Sequence, residues 1–186
     1  MPVVAEREME AGRTERPATV KVWDPFVRIF HWSLVALFAA AWVSEDYQSL
    51  HQPVGYAILA LVLLRIVWGV LGSKHARFTD FVRSPTETLT YARDLLAGRA
   101  QHVHGHNPLA AVMILALLAL LIATGASGWM TTLEAYRSAK WLEELHEGIA
   151  SATLALVGLH VLAVVIMSAV HGENLVRAMM TGRKRV

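Results

Sequence analysis

Long apolar blocks alternate with polar segments along the chain, at residues 26–43, 53–71, 108–130 and 148–170. Each block is close to the roughly 20 helical residues that cross about 30 Å of hydrocarbon. Strands of a membrane barrel would instead show about ten residues of alternating hydrophobicity. The pattern predicts an all-α integral membrane protein, a four-helix bundle formed by residues 21–186. Residues 1–20 are polar and without apolar periodicity, which predicts a disordered tail.

A weaker pattern lies in the polar segment between the second and third blocks. Ser84, Pro85 and Glu87 have the spacing of a helix N-terminus with a capping box. The leucines and alanine at 89, 92, 95 and 96 share one helical face, and Gly98 can end the helix. We predict a short amphipathic helix here, either on the membrane surface or free of lipid contact.

Basic residues are distributed unevenly over the polar segments. The segment up to Arg28, the loop between the second and third blocks and the C-terminal tail hold 14 Lys and Arg, whereas the other loops hold Arg137 and Lys140. By the positive-inside rule, both termini and the long loop are predicted to be cytoplasmic. Six acidic residues against two basic ones give the opposite loops a net charge of −4. The basic residues are not interleaved with aromatic ones on one surface, so nucleic-acid binding is not indicated.

Composition narrows the chemistry that the bundle can hold. Hydrophobic residues make up 55% of the chain and charged residues 17%, against about a quarter charged in soluble domains. Cysteine is absent and histidine occurs nine times. The absence of cysteine excludes disulfides, iron–sulfur clusters, thiolate zinc sites and covalently attached haem. Any redox cofactor is therefore held by other ligands.

Four histidines fall at two depths of the predicted bundle. His51 and His146 lie at the outer starts of the second and fourth helices, while His31 and His160 lie deeper, in the first and fourth. His146 and His160 are 14 residues apart, which places them on nearly one helical face about 21 Å apart. Depth therefore pairs His51 with His146, the outer pair, and His31 with His160, the deeper pair.

Two histidines that face each other from different helices are the axial ligands of a six-coordinate haem. Two such pairs predict two haems b, stacked across the membrane. The alternative for each histidine is a packed side chain that is hydrogen-bonded to a neighbouring helix. The remaining histidines are predicted in loops or at the interface, with a weak loop metal site or a neighbour of a quinone site as alternatives: His75, His102, His104, His106 and His171.

The second helix adds two candidate binding residues. Gly55 is one turn below His51, so a flat macrocycle can approach the backbone there. Arg65 is 14 residues below His51 and on the same face. A charge inside a membrane helix usually faces a partner in the bundle, here a haem propionate or a quinone carbonyl. The alternative is an arginine that extends to the inner interface.

The segment 22–32, with the sequence VWDPFVRIFHW, resembles the opening of the bacterial cytochrome b-561 family, and in particular its cytochrome b subunits of nickel–iron hydrogenases and related dehydrogenases. Later landmarks are similar to that family too: His51 with Gly55, Arg65 with Trp68-Gly69, Gly105-His106-Asn107-Pro108, the His146/His160 pair, and Glu173-Asn174-Leu175-Val176-Arg177.

The resemblance implies four helices, two bis-histidine haems b with His31, His51, His146 and His160 as ligands, and a place in the bacterial inner membrane. It implies electron exchange between membrane quinone and a periplasmic redox protein, which is a hydrogenase or dehydrogenase subunit or a c-type cytochrome. The acidic outer loops suit a basic partner of the last kind. A homodimer is one of the assemblies left open.

Two other functions compete with that of an electron-transfer subunit. Relatives with this fold can act as oxidoreductases on a small diffusible substrate such as superoxide, with quinone as the second substrate. A haem-free transporter would use the histidines and Arg65 within the membrane as a relay for protons or metal ions.

Overall fold

The computed structural model describes residues 19–73, 76–99 and 107–185. Its elements in chain order are β1 (Thr19–Lys21), α1 (Pro25–Val43), α2 (Gln48–Leu71), α3 (Phe78–Phe81), α4 (Pro85–Leu96), α5 (Pro108–Thr131), a 3₁₀ turn (Glu134–Tyr136), α6 (Lys140–His171), α7 (Leu175–Thr181) and β2 (Arg183–Arg185). Among the described residues, four helices are long and apolar enough to cross a membrane: α1, α2, α5 and α6. The prediction of an all-α membrane four-helix bundle is confirmed.

Two of the spanning helices begin earlier than hydropathy predicts. Helix α2 begins at Gln48, so Pro53 lies in its second turn and His51 in its first. Helix α6 begins at Lys140, and Leu142 in this added segment is only 1% exposed. Hydropathy detects only the part of a helix that meets lipid, whereas burial of an amphipathic turn extends the helix beyond it.

The loop helix is found where the capping pattern predicts it, as α4. The Ser84 side chain accepts a hydrogen bond from the Glu87 N–H at 3.2 Å, and Gly98 follows the helix with a φ of 68°, a left-handed conformation that suits glycine. Helix α4 lies next to α5. The loop histidines at 75, 102, 104 and 106 lie outside the described residues.

The apolar core is formed by α1, α2 and α5. Its buried members come from all three helices: Phe30, Ile58, Val62, Leu118 and Leu121. The spanning helices pack in chain order, α1 on α2, α2 on α5, and α5 on α6. Helix α6 makes hardly any close backbone approach to α1 or α2. The fourth span is therefore attached through the third.

Both ends of the described chain meet at one end of the bundle, here named the termini end. Strand β1 pairs antiparallel with β2, with Val20 opposite Lys184, and the Trp23 N–H donates to the Gly182 carbonyl at 3.2 Å. Of the predicted tail, residues 1–18 lie outside the described residues, and residues 19 and 20 belong to β1. This pairing joins the start of the described chain to its end at the termini end of the bundle.

Asp24 connects three parts of the chain at the termini end: α1, α2 and the segment that follows α2. Its carboxylate caps α1 by accepting from the Val27 N–H at 2.8 Å, and it accepts from Trp68 Nε1 at 3.2 Å and from the Ser73 hydroxyl. Partial burial alone would raise the pKa of this carboxyl. The three hydrogen bonds and the nearby positive charge of Arg65 outweigh it and hold the pKa below its usual value. Asp24 therefore stays ionised and ties α1 to the end of α2.

We expect Asp24→Asn to lower the Tm of the purified protein, because Asn keeps the helix cap but loses the negative charge that faces Ser73, Trp68 and Arg65. Asp24→Ala also loses the cap, which costs about 1 kcal/mol more and lowers Tm by roughly a further 3 °C. Because the folded-state pKa is lowered, the wild-type advantage is complete above about pH 4 and shrinks as the pH falls through the folded-state pKa.

Thermal unfolding in detergent between pH 3 and 7 measures both effects. Asp46→Asn, at an exposed position in the loop after α1, is the matched control and should leave Tm unchanged. Equal Tm values for the Asp24→Asn and Asp46→Asn variants would contradict the role assigned to the Asp24 charge.

Candidate functional site

The outer pair of histidines comes together between α2 and α6. The ring centres of His51 and His146 are 6.2 Å apart, and the ring planes are nearly perpendicular, at 87°. His51 lies in the first turn of α2 and His146 in the second turn of α6. These two helices hardly approach each other elsewhere, so the facing rings are the main feature that relates them.

His51 is oriented by the end of the first span. Its Nδ1 lies 3.0 Å from the carbonyl oxygen of Ala41, which is among the last four carbonyls of α1 and so lacks an intrahelical partner. A carbonyl oxygen can only accept, so Nδ1 carries the proton and donates. The free lone pair of the imidazole is then on Nε2.

His146 is oriented in the same way by the third span. Its Nδ1 lies 3.1 Å from the Thr124 carbonyl oxygen and 3.1 Å from the Ser127 hydroxyl. The Ser127 hydroxyl itself donates to the Thr124 carbonyl, so its oxygen can accept from Nδ1. This arrangement also places the proton on Nδ1 and the free lone pair on Nε2. Hydrogen bonds of this kind are those that orient metal-binding histidines.

Close approach of α5 makes room for the His146 ring. A Cβ atom built on Gly128 would lie 2.8 Å from His146 Cε1, well inside van der Waals contact. One turn earlier, a Cβ on Gly125 would meet only the flexible side chain of Leu59, at 3.2 Å. The His146 ring therefore fits in its position because residue 128 is a glycine and has no Cβ atom.

The deeper pair belongs to α1 and α6. His31 and His160 are near enough to interact electrostatically, and both are partly buried. The His31 ring contacts Trp32 edge to face, with ring centres 5.2 Å apart. Its Nδ1 is buried without a hydrogen-bond partner among the described residues. A buried polar nitrogen without a partner is costly, which marks this position as one that suits a ligand.

A hydroxyl pair lies between the two levels of histidines. Thr153 is seven residues from His146 and seven from His160, and it is fully buried. Its hydroxyl lies 3.1 Å from that of Thr124 on α5. This contact, with that of His146, attaches α6 to α5 and sets its height in the bundle.

Gly55 and Arg65 occupy different surroundings. A Cβ on Gly55 would have no neighbour within 4 Å, so the backbone of α2 is open at that point. Arg65 is 3% exposed and turns toward the termini end, where it donates to the Ala76 carbonyl at 3.1 Å and lies 5.3 Å from the Phe78 ring centre. Its Nη1 is buried without a partner among the described residues.

Sequence reasoning missed the residues that orient the histidines: Ala41, Thr124, Ser127 and Gly128. A signal for three of them exists, because small and hydroxyl residues concentrate in 124–128 of an otherwise aliphatic helix, and such residues mark close helix contacts in membranes. Ala41 carries no signal, because its backbone and not its side chain makes the contact.

Among the described residues, no group of three or more His, Asp or Glu could hold a bare metal ion. The arrangement has two histidines at each level. A cofactor with its own equatorial donors needs only these two from the protein, as haem does.

Comparison with known proteins gives one match and two negative results. The sequence profile of the family described as prokaryotic cytochrome b561 matches residues 22–182. No curated protein and no solved structure matches the chain. The chain therefore belongs to the prokaryotic cytochrome b561 family and is a membrane b-type cytochrome of electron transfer, which binds haem b.

Proposed function

We propose that this chain is a dihaem cytochrome that carries electrons between a redox protein at the outer face of the membrane and quinone within it. His51 and His146 would hold one haem b, and His31 and His160 the other. The termini end would face the cytoplasm of a bacterium, in line with the 14 basic residues counted on that side.

The observation that carries the proposal is the geometry of the outer pair. A nitrogen ligand lies about 2 Å from a bound transition metal, and ring centres 6.2 Å apart leave room for one metal ion between two facing imidazoles. Both rings have Nδ1 engaged by a carbonyl, so that Nε2 is the available ligand on each side. The residues present therefore fit a haem, which His51 and His146 would hold.

The wider packing of the helices also fits a flat cofactor. Helix α6 packs on α5 but stays apart from α1 and α2, which are the helices that supply the facing histidines. The backbone at Gly55 is open, and His31 has a buried ring nitrogen without a partner. Arg65, with its partnerless Nη1, would offer a donor to an anionic group such as a haem propionate.

When bound, haem supplies a reversible one-electron couple of iron. The chain supplies the ligands and sets their surroundings. The carbonyls of Ala41 and Thr124 hold the outer imidazoles in one tautomer, which raises their basicity as ligands. The continuous helix α6 keeps His146 and His160 about 21 Å apart along its axis. The apolar helices around both pairs exclude water and so favour the iron state of lower charge.

The outer face suits a basic redox partner. Glu45, Asp46, Glu134, Glu143 and Glu144 are all exposed there. Of these, Glu134 pairs with Arg137, also at the surface. Complementary charge accelerates the encounter of a small redox protein with such a face.

We expect the purified protein to contain two haems per chain with a bis-histidine spectrum. His51→Ala and His160→Ala should each remove one haem, and the haem that remains should differ between them in potential. Haem-to-protein ratio, reduced-minus-oxidised spectra and redox titration measure this. His171→Ala, at a histidine in neither pair, is the control and should keep both haems.

Two results would contradict the haem assignment. If either substitution removed both haems while the protein kept its helical content, the pairing would be wrong. Protein purified in folded form without haem after supplementation would point to the transporter instead.

A second prediction tests the close contact between α5 and α6. Gly128→Ala adds a methyl group 2.8 Å from the His146 ring, so we expect it to displace that imidazole and to lower occupancy of the outer haem. The matched control is Gly125→Ala, because its methyl group meets only a flexible leucine. Unchanged haem content and spectra in both variants would show that Gly128 does not set the position of His146.

A third prediction concerns the acidic face. Replacing Glu143 and Glu144 by Gln should slow reduction by a small basic c-type cytochrome at low salt by roughly tenfold, with little effect at high salt. Stopped-flow measurement of haem reduction against ionic strength tests this. Glu87→Gln, on α4 at the other end of the bundle, is the control. An unchanged salt dependence in the Glu143/Glu144 variant would remove this face as the docking site.

A further inference from the structure

A cavity at the termini end is lined by none of the four paired histidines, although its Trp32 side chain also contacts the His31 ring. It has a volume of about 490 Å³ between α1 and α7 and is lined by Pro25, Arg28, Ile29, Trp32, Ser33 and Met180. Ile29 is 68% exposed and Trp32 39% exposed, and both lie on the first turns of a spanning helix. The cavity therefore opens outward at interface depth, where tryptophan is favoured in membrane proteins.

Arg28 provides the positive wall of this cavity. Its guanidinium donates to the Met180 carbonyl, which holds the side chain across the gap between α1 and α7. Its Nε is buried and has no acceptor among the described residues. A guanidinium has five N–H donors. Among the described residues the Met180 carbonyl is the acceptor found for Arg28, which leaves other donors for an anionic oxygen.

More positive charge lies on the elements next to the cavity. Arg177 is exposed on α7, three residues before Met180, and Arg183 is exposed at the start of β2. The Asp24 carboxylate, at the same end of the bundle, is engaged by Ser73 and Trp68. Arg28 in the cavity wall, with Arg177 and Arg183 on the neighbouring elements, gives this part of the described chain a cationic character.

We propose that this cavity binds the headgroup of an anionic phospholipid, with the phosphate on Arg28 and an acyl chain along Ile29 and Trp32. A basic pocket beside a spanning helix at this depth has the charge and the amphipathic walls that such lipids need. A quinone carbonyl could accept a hydrogen bond from Arg28, but an uncharged quinone would gain less from these cations than an anionic headgroup does. The bound lipid would fasten α7, and with it the paired strands, to the first span.

Native mass spectrometry of the full-length protein in detergent, titrated with phosphatidylglycerol or phosphatidylcholine, tests this proposal. We expect phosphatidylglycerol to bind in preference, and Arg28→Gln to weaken that binding about fivefold, the effect of one basic residue at a lipid surface. Arg28→Lys keeps the charge and should bind within about twofold of wild type. Arg83→Gln, at an exposed arginine near α4, is the control for net charge and should bind as wild type does.

Several results would overturn the proposal. Equal binding of the two lipids would remove the preference for an anion, and equal loss in Arg28→Gln and Arg83→Gln would reduce it to net charge. Inorganic phosphate that bound as tightly as the lipid would assign the site to a soluble anion. Quinone that displaced phosphatidylglycerol from wild type but not from Arg28→Gln would assign it to quinone. Haem content, measured in parallel, reports separately on the dihaem proposal.

Discussion

A helix in lipid must satisfy its own backbone, because no water is present to do so. Lateral polar contacts between spans are then limited to side chains and to the few carbonyls at helix ends. The outer histidine site is built from both. The end carbonyl of Ala41 holds His51, and the Thr124–Ser127 segment of α5 holds His146. Each imidazole is thus oriented by a neighbouring helix and not by its own.

The same limit on polar contacts between helices shapes the packing of the spans. Apolar side chains join α1, α2 and α5 into one core, and a threonine pair with one histidine attaches α6 to α5. Helix α6 carries one histidine of each pair and stays apart from the helices that carry the others. A cofactor bound between them would supply contacts that direct packing does not. Cofactor binding between the histidines of each pair would in this way be coupled to assembly of the fourth span.

The termini end shows how charge organises the opposite side of the bundle. Asp24 connects the start of α1 with Trp68 and Ser73, and the strand pair joins the two termini. Arg65 turns toward this group and away from the level of His51. The sequence predicts Arg65 as a partner for a haem or a quinone. In the structure its side chain joins α2 to the loop that follows it.

The sequence by itself determined which segments span the membrane and the height of each histidine, because hydrophobic length and the fixed rise per residue set both. It also predicted α4, through the local chemistry of Ser84 and Glu87. Hydropathy missed the early starts of α2 and α6, because Leu142 is buried by packing and not by lipid. Only the tertiary structure decided which helices are neighbours, how Gly128 admits the His146 ring, and which carbonyls orient the histidines. These features depend on lateral contacts between helices. The spacing of residues along one helix carries no information about such contacts.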